Sequence, residues 1–126
     1  MKYYEGINRG IGGQIIMVCE TDGRSKFESY PLKHHVRHSP DGFQWGYKGS
    51  GPAETARCIL IDYFGEDEKK AETLYLRFED EIISKASKRL FITERDIRDW
   101  IKGERSYRRS GRSYLSLFQK KEEKCR

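Results

Sequence analysis

The sequence has few of the residues that carry covalent or metal chemistry. Its 126 residues include three cysteines, Cys19, Cys58 and Cys125. They stand far apart with no CxxC pairing, which excludes a disulfide framework and a zinc-finger spacing. Cys58 falls in a predicted helix and is expected to act as a small hydrophobe. A reducing, cytoplasmic setting is therefore expected, whether in the protein's own cell or in a host's. No run approaches the 18 apolar residues of a membrane span. The opening residues MKYYEGINRG are polar and lack the apolar region of a signal segment, so a soluble chain without a membrane partner is expected. Prolines number three, and each punctuates the chain.

Net charge is scarce over most of the length. Residues 1–64 sum to +1 and residues 65–102 to −1, whereas residues 103–126 sum to +5. The basic character is therefore that of a tail, and a tail of that sign points to an acidic partner.

What is present is turn chemistry, strand pattern and helix pattern. Lys2 to Ile7 and the β-branched run Gln14 to Glu20 read as strands, separated by the glycine-rich Arg9 to Gly13. Asp22-Gly23 predicts a two-residue hairpin turn into a third strand, Ser25 to Tyr30, with Phe27 and Tyr30 available for burial and Pro31 ending it. Ser39-Pro40-Asp41-Gly42 has type I turn chemistry. Phe43-Gln44-Trp45-Gly46-Tyr47 alternates with period 2, predicting a strand with its three aromatics on one face. The apolar stripe of the helix that follows favours burial of that face over an exposed stacking platform for single-stranded nucleic acid. Gly49-Ser50-Gly51-Pro52 leads into a helix. Pro52 suits the first helical position, Glu54 the first turn and Gly65 the left-handed cap. Ala53, Ala56, Ile59, Leu60, Tyr63 and Phe64 form its stripe. A second helix over 67–86 carries Ala71, Leu74, Tyr75, Phe78 and Ile82 inward, with Glu79, Asp80 and Glu81 fanned toward solvent. Leu90-Phe91-Ile92 is a further strand or docking segment. Thr93 caps a third helix with Asp96 in a capping-box position, and Gly103 is expected to close it.

The fold class expected is α+β: a small antiparallel sheet of three or four strands from residues 1–48, covered on one face by three helices at 52–64, 67–86 and 93–102. The compact domain is expected over 1–103 and the basic tail over 104–126.

Candidate chemistry is sparse. His34 and His38 have the i, i+4 spacing of metal ligands, but Pro31 and Pro40 flank them and no third ligand is suitably spaced, so no metal and no cofactor are expected. No nucleophile–base spacing links the histidines with Asp41 or Ser50, so no enzyme is expected. The glycine-rich turn before the first helix lacks the Lys-Ser/Thr of a phosphate loop. In the tail, Arg105, Arg108, Arg109 and Arg112 interleave with Tyr107 and Tyr114, the composition of an arm that contacts phosphates and stacks on bases.

The run from His38 to Glu54, HSPDGFQWGYKGSGPAE, resembles the signature of a family of short uncharacterised proteins of bacteria, archaea and their viruses, a domain of unknown function. The resemblance takes in Tyr3-Tyr4-Glu5-Gly6 and Leu60-Ile61-Asp62-Tyr63-Phe64-Gly65. It continues loosely through Leu76, Arg77 and Phe78 to Ile97–Trp100, spanning roughly residues 1–102. It implies no activity. The reading that results is a non-enzymatic accessory or mobile-element binding protein. Its nucleic-acid contacts would be Arg105, Tyr107, Arg108, Arg109, Arg112 and Tyr114, with Lys48 and Ser50 as surface contacts. The alternative is a protein-interaction module, such as an inhibitor of a host complex or a homo-oligomer.

Overall fold

A computed structural model describes residues 1–110 apart from Ile11 and Ser25, and from residue 105 to residue 110 it describes the backbone alone. The elements run β1 (Lys2–Ile7), β2 (Ile16–Thr21), β3 (Phe27–Pro31), α1 (Ser50–Tyr63), α2 (Glu68–Glu81), β4 (Arg89–Thr93) and α3 (Glu94–Ser110), with a 3-10 turn at Ile83–Lys85 before β4. The four strands form one antiparallel sheet in the order β3-β2-β1-β4. The protein is thus α+β, as its patterns predict. The chain divides into two units, residues 1–92 and residues 93 onward.

In the first unit β1 pairs with β2 with Tyr4 opposite Val18, and β2 with β3 with Val18 opposite Tyr30. Cross-strand partners share a face, so Tyr4, Val18, Ile16 and Tyr30 lie on one side. That side meets α1: Asp62 accepts from the hydroxyls of Tyr4 (2.6 Å) and Tyr30 (2.9 Å) and from Lys2 Nζ (3.2 Å). Leu32 N donates to Ile16 O, so Tyr30 and Glu28 point their backbone groups at β2 and Pro31 points outward. Its missing N–H therefore falls on the sheet's outer edge, where it costs no ladder bond.

The sheet differs from expectation in two places. The connection from β2 to β3 spans residues 22–26 rather than a two-residue turn. Asp22 closes it by accepting from the N–H groups of Arg24 (2.8 Å) and Lys26 (3.3 Å), which competes with a tight turn. The resulting β3 leaves Phe27 and Tyr30 exposed rather than buried. The aromatic run 43–47 is not a strand: it makes one isolated bridge, Phe43 to Gln14. Its backbone groups are satisfied elsewhere. Thr55 Oγ1 bonds both Gln44 N (3.0 Å) and Gln44 O (2.7 Å), and Gly46, at φ +90°, donates to Ile83 O (3.0 Å). Phe43 and Trp45 are buried as the alternation predicts, but Tyr47 is exposed. The fourth strand comes from residues 89–93, where the run Leu90-Phe91-Ile92 is expected as a further strand or a docking segment and proves to be the strand, supplying β-branched and aromatic residues without glycine.

Helix α1 is buried along every residue from Gly51 to Ile61 rather than on one stripe. A helix that is mostly apolar all round belongs in a core. It begins at Ser50, so Pro52 is its third residue and Glu54 lies past the first turn, not in it. At its end Gly65 N bonds Asp62 O (3.0 Å) and Glu66 N bonds Ile61 O (2.8 Å), with Gly65 at φ +68°. This is the left-handed Schellman termination predicted for Gly65. Gly13 is required by proximity: a Cβ there would overlap the carbonyl oxygen of Asp41.

Helix α2 is shorter than expected. It ends at Glu81, and the chain then tightens into the 3-10 turn. Ala71, Tyr75 and Phe78 are buried, while Leu74 and Ile82 are half-buried.

In the second unit, Thr93 and Asp96 make the reciprocal capping box, each accepting from the other's N–H at 3.0 Å. Gly103 does not end α3, which continues to Ser110. One interior glycine costs a helix only about 1 kcal/mol, and Lys102, Glu104 and Arg105 around it favour helix.

Candidate functional site

The densest polar constellation is built where the loop of residues 33–42 crosses α1. Its centre is Glu54, whose side chain is fully buried. Oε2 accepts from Arg37 N (2.9 Å), Ser39 N (3.1 Å) and His34 Nε2 (2.9 Å), and Oε1 accepts from His38 N (3.2 Å). An ionised carboxylate only accepts, so His34 carries its proton on Nε2. Burial alone would raise the Glu54 carboxyl. The N–H of Arg37, the imidazole of His34 and the N–H groups of Ser39 and His38 outweigh that and hold it below the usual carboxylate range.

The three histidines diverge from this centre. His34 bonds Glu54 and tilts against Phe43 with ring centroids 5.1 Å apart. His38 Nε2 meets the Tyr75 hydroxyl at 2.9 Å. His35 Nε2 stands 3.2 Å from a Glu66 oxygen, though the two are not aligned as a hydrogen bond. Among the described residues no three metal-ligating side chains converge. One turn beyond Glu54, the nearly buried Arg57 bonds Glu72 (2.9 Å), Glu68 (3.2 Å) and the His35 carbonyl (3.4 Å). Arg37 also pairs with Glu72. These contacts tie the loop to α1 and α2. Their chemistry is that of a fastening: each ionisable group is engaged by a neighbour in the fold.

Cys58, on the same helix, accepts from His35 N at 3.4 Å. Burial pushes its thiol up to about 11. A thiol so placed is almost wholly protonated near neutrality and inert. Iodoacetamide at about pH 8 is therefore expected to leave Cys58 unmodified in the folded chain and to label it in urea, as read by peptide mass spectrometry.

The remaining candidates lie elsewhere. Lys48 is exposed and paired with Asp80, and Ser50 is the exposed first residue of α1. At that helix start Glu79 accepts from Gly49 N (3.1 Å), so a carboxylate already stands where an anion would bind. Glu79 and Asp80 are thus engaged rather than simply solvated. Asp41 is exposed in the turn at residues 40–41. Arg112 and Tyr114 lie outside the described residues. So do the side chains of Arg105, Tyr107, Arg108 and Arg109, whose backbone belongs to α3.

Sequence reasoning missed Asp62 and the true role of Glu54. Both are acids inside the apolar run of α1, at positions eight apart. An acid embedded in a buried run is the signal that was there to be used, since a buried carboxylate must find partners.

The arrangement that sequence reasoning could not reach is on α3. Ile97, Trp100 and Glu104 are buried at spacings of three and four. Arg95, Arg98 and Lys102 are exposed, and among the described residues none of them is held in an ion pair. Because the helix runs on through Gly103, positions 105 and 109 fall in the same register, spaced 3, 4, 3 and 4. This makes a line of five basic positions about 21 Å long at 1.5 Å per residue.

A model of a family described as "Family of unknown function (DUF6166)" matches residues 4–103. No curated protein matches the chain, and no solved structure matches it. No described helix is long and apolar enough to cross a membrane.

Proposed function

We propose, for a chain that belongs to the DUF6166 family of unknown function, that it is a non-enzymatic accessory protein of a prokaryotic or viral genome that binds nucleic acid along α3 and the basic segment following it. The observation that carries this reading is the line of Arg95, Arg98, Lys102 and the positions of Arg105 and Arg109 on one helix. Cations in register along a rod can neutralise successive phosphates, and each one that does so releases condensed counterions. Arginine dominates the line, and its guanidinium also makes paired hydrogen bonds to phosphate. The buried side of the same helix carries Ile97 and Trp100, so its polar side is left to a partner.

The test is equilibrium binding of a labelled oligonucleotide by the full chain across salt concentration. Five phosphate contacts predict a log–log slope of about −3.5 to −4.5, depending on whether the target is single- or double-stranded. The triple change Arg95→Ala, Arg98→Ala and Lys102→Ala is expected to lower the magnitude of that slope by about two to three. All three side chains are exposed, so the melting temperature should stay near that of the parent. Binding that ignores salt, or a slope unchanged in the triple variant, would refute the proposal.

A further inference from the structure

The face of the sheet turned away from α1 is not explained by the fold. Alternation puts Tyr3, Glu5 and Ile7 of β1 on that face, opposite to Tyr4. Their cross-strand neighbours there are Cys19 and Met17, then Ser29, with Phe27 opposite Thr21 on the outer pair. From β4 come Phe91, whose ring centroid lies 5.3 Å from that of Tyr3, and Arg89, whose guanidinium stands 5.0 Å over the Phe91 ring and pairs with Glu5. Three of its apolar side chains are open to solvent, Phe27 at 60%, Ile7 at 52% and Phe91 at 46%, while Tyr3 and Met17 are half-buried and Cys19 is buried between them.

We propose that this face is a stacking platform for single-stranded nucleic acid, built on Tyr3, Phe91 and Phe27. The proposal rests on the nucleic-acid reading above and specifies the form of the ligand. Size argues against a second copy of the chain. Four strands about 4.8 Å apart and five residues at about 3.4 Å outline a patch of only about 300 Å². A stable protein interface covers about 800 Å² on each partner. The patch instead matches a few nucleotides. Its chemistry matches them as well. Aromatic rings take the faces of unpaired bases, and a guanidinium lying over one ring adds a cation beside the stack. Exposed cations stand at both ends of the face, Arg9 and Lys88 with Arg89 at one and Arg24 and Lys26 at the other. Of the acids there, Glu5 is paired with Arg89 and Asp22 accepts from the N–H groups of its own turn. A duplex, with its bases stacked inside, has nothing to offer the rings.

The experiment compares a fluorescent single-stranded ten-mer with the duplex of the same sequence, using the full chain and the variants Tyr3→Leu, Phe91→Leu and Phe27→Leu. Leucine keeps an apolar side chain on the sheet but removes the ring. Phe27, on the outer strand and most exposed, gives the variant least able to disturb folding. The parent is expected to prefer the single strand. Each ring lost from the platform should weaken single-strand binding roughly tenfold. It should leave the salt slope and the duplex affinity unchanged. An oligonucleotide with abasic positions should lose affinity in the same way. Ring variants that bind the single strand as the parent does, or a parent that binds duplex and single strand equally, would sink the platform while leaving the basic helix standing. A parent that binds neither form overturns both proposals.

Discussion

Glu54→Gln is expected to destabilise the folded protein by about 3–5 kcal/mol, read as a shift in urea unfolding near pH 7. The carboxylate accepts one hydrogen bond on Oε1 and three on Oε2. Hydrogen bonds to a charged group contribute about 1.5–3 kcal/mol each. Whichever way a glutamine amide is turned, its NH2 faces at least one backbone N–H, donor against donor. The loop of residues 33–42 has no strand or helix to organise it, so losing this acceptor frees the N–H groups of Arg37, His38 and Ser39 together and leaves the loop to its contacts with Glu72, Tyr75 and Arg57. The effect also depends on pH. The Glu54 carboxyl is held below its ordinary value of 4.5, so its ionised form stabilises the fold fully above that value. That contribution is lost as pH falls through the lowered folded value. The gap between the parent and Glu54→Gln should therefore narrow in acid. A gap that stays constant from neutrality down to about pH 2 would show that the carboxylate's charge is not what holds the loop.

Trp45→Ala is expected to cost about 3–5 kcal/mol. Trp45 is 2% exposed, its indole N–H donates to Ser87 O at 2.9 Å, and its ring packs so closely on Gly6 that a Cβ there would stand 2.8 Å from Cη2. The ring thus fills the space between β1 and the chain leaving the 3-10 turn. Alanine leaves a cavity that these backbone segments cannot close. Trp45→Phe separates packing from hydrogen bonding. It keeps most of the apolar surface and lets water reach the carbonyl of the exposed Ser87, so it should cost about 1–2 kcal/mol. Equal losses in the two variants would mean that the hydrogen bond, not the ring's volume, carries the contribution.

These two residues also show how far the fold and the candidate site are legible from sequence. Trp45 is recognisable as core from its alternation with Phe43, yet the strand that the alternation implies does not form. Period 2 marks Phe43 and Trp45 as buried but fails at Tyr47, which is exposed, and it does not report whether the backbone finds a ladder. Here Thr55 and Ile83 supply the hydrogen bonds that a neighbouring strand would have made. Glu54 reads locally as a helix-dipole residue because nothing nearby in sequence reveals that a loop some 15 to 20 residues earlier will offer it four donors. Gly103 reads as a helix stop because glycine often is one, but its weak local penalty is outweighed by the residues on either side. The basic line on α3 depends on that outcome, since a helix ending at Gly103 would leave Arg105 and Arg109 out of register with Arg98 and Lys102.

By itself the sequence determined what short-range physics controls. That includes the strands β1 and β2, the capping box at Thr93 and Asp96, the left-handed end of α1 at Gly65, and the concentration of charge in the last residues. The capping box and the helix end depend on neighbours within a few positions, where steric limits and local hydrogen bonds leave one favourable solution, and the two strands on β-branched and aromatic residues that favour an extended backbone. Tertiary structure alone decided that α1 is buried on all sides, that the run at residues 89–93 pairs beside β1 rather than docking as an unpaired segment, and that Glu54 and Asp62 are fastening points. It also decided that Tyr3, Phe27 and Phe91 share one open face. Those outcomes turn on which distant groups desolvate one another, and that cost is set by the packed chain as a whole.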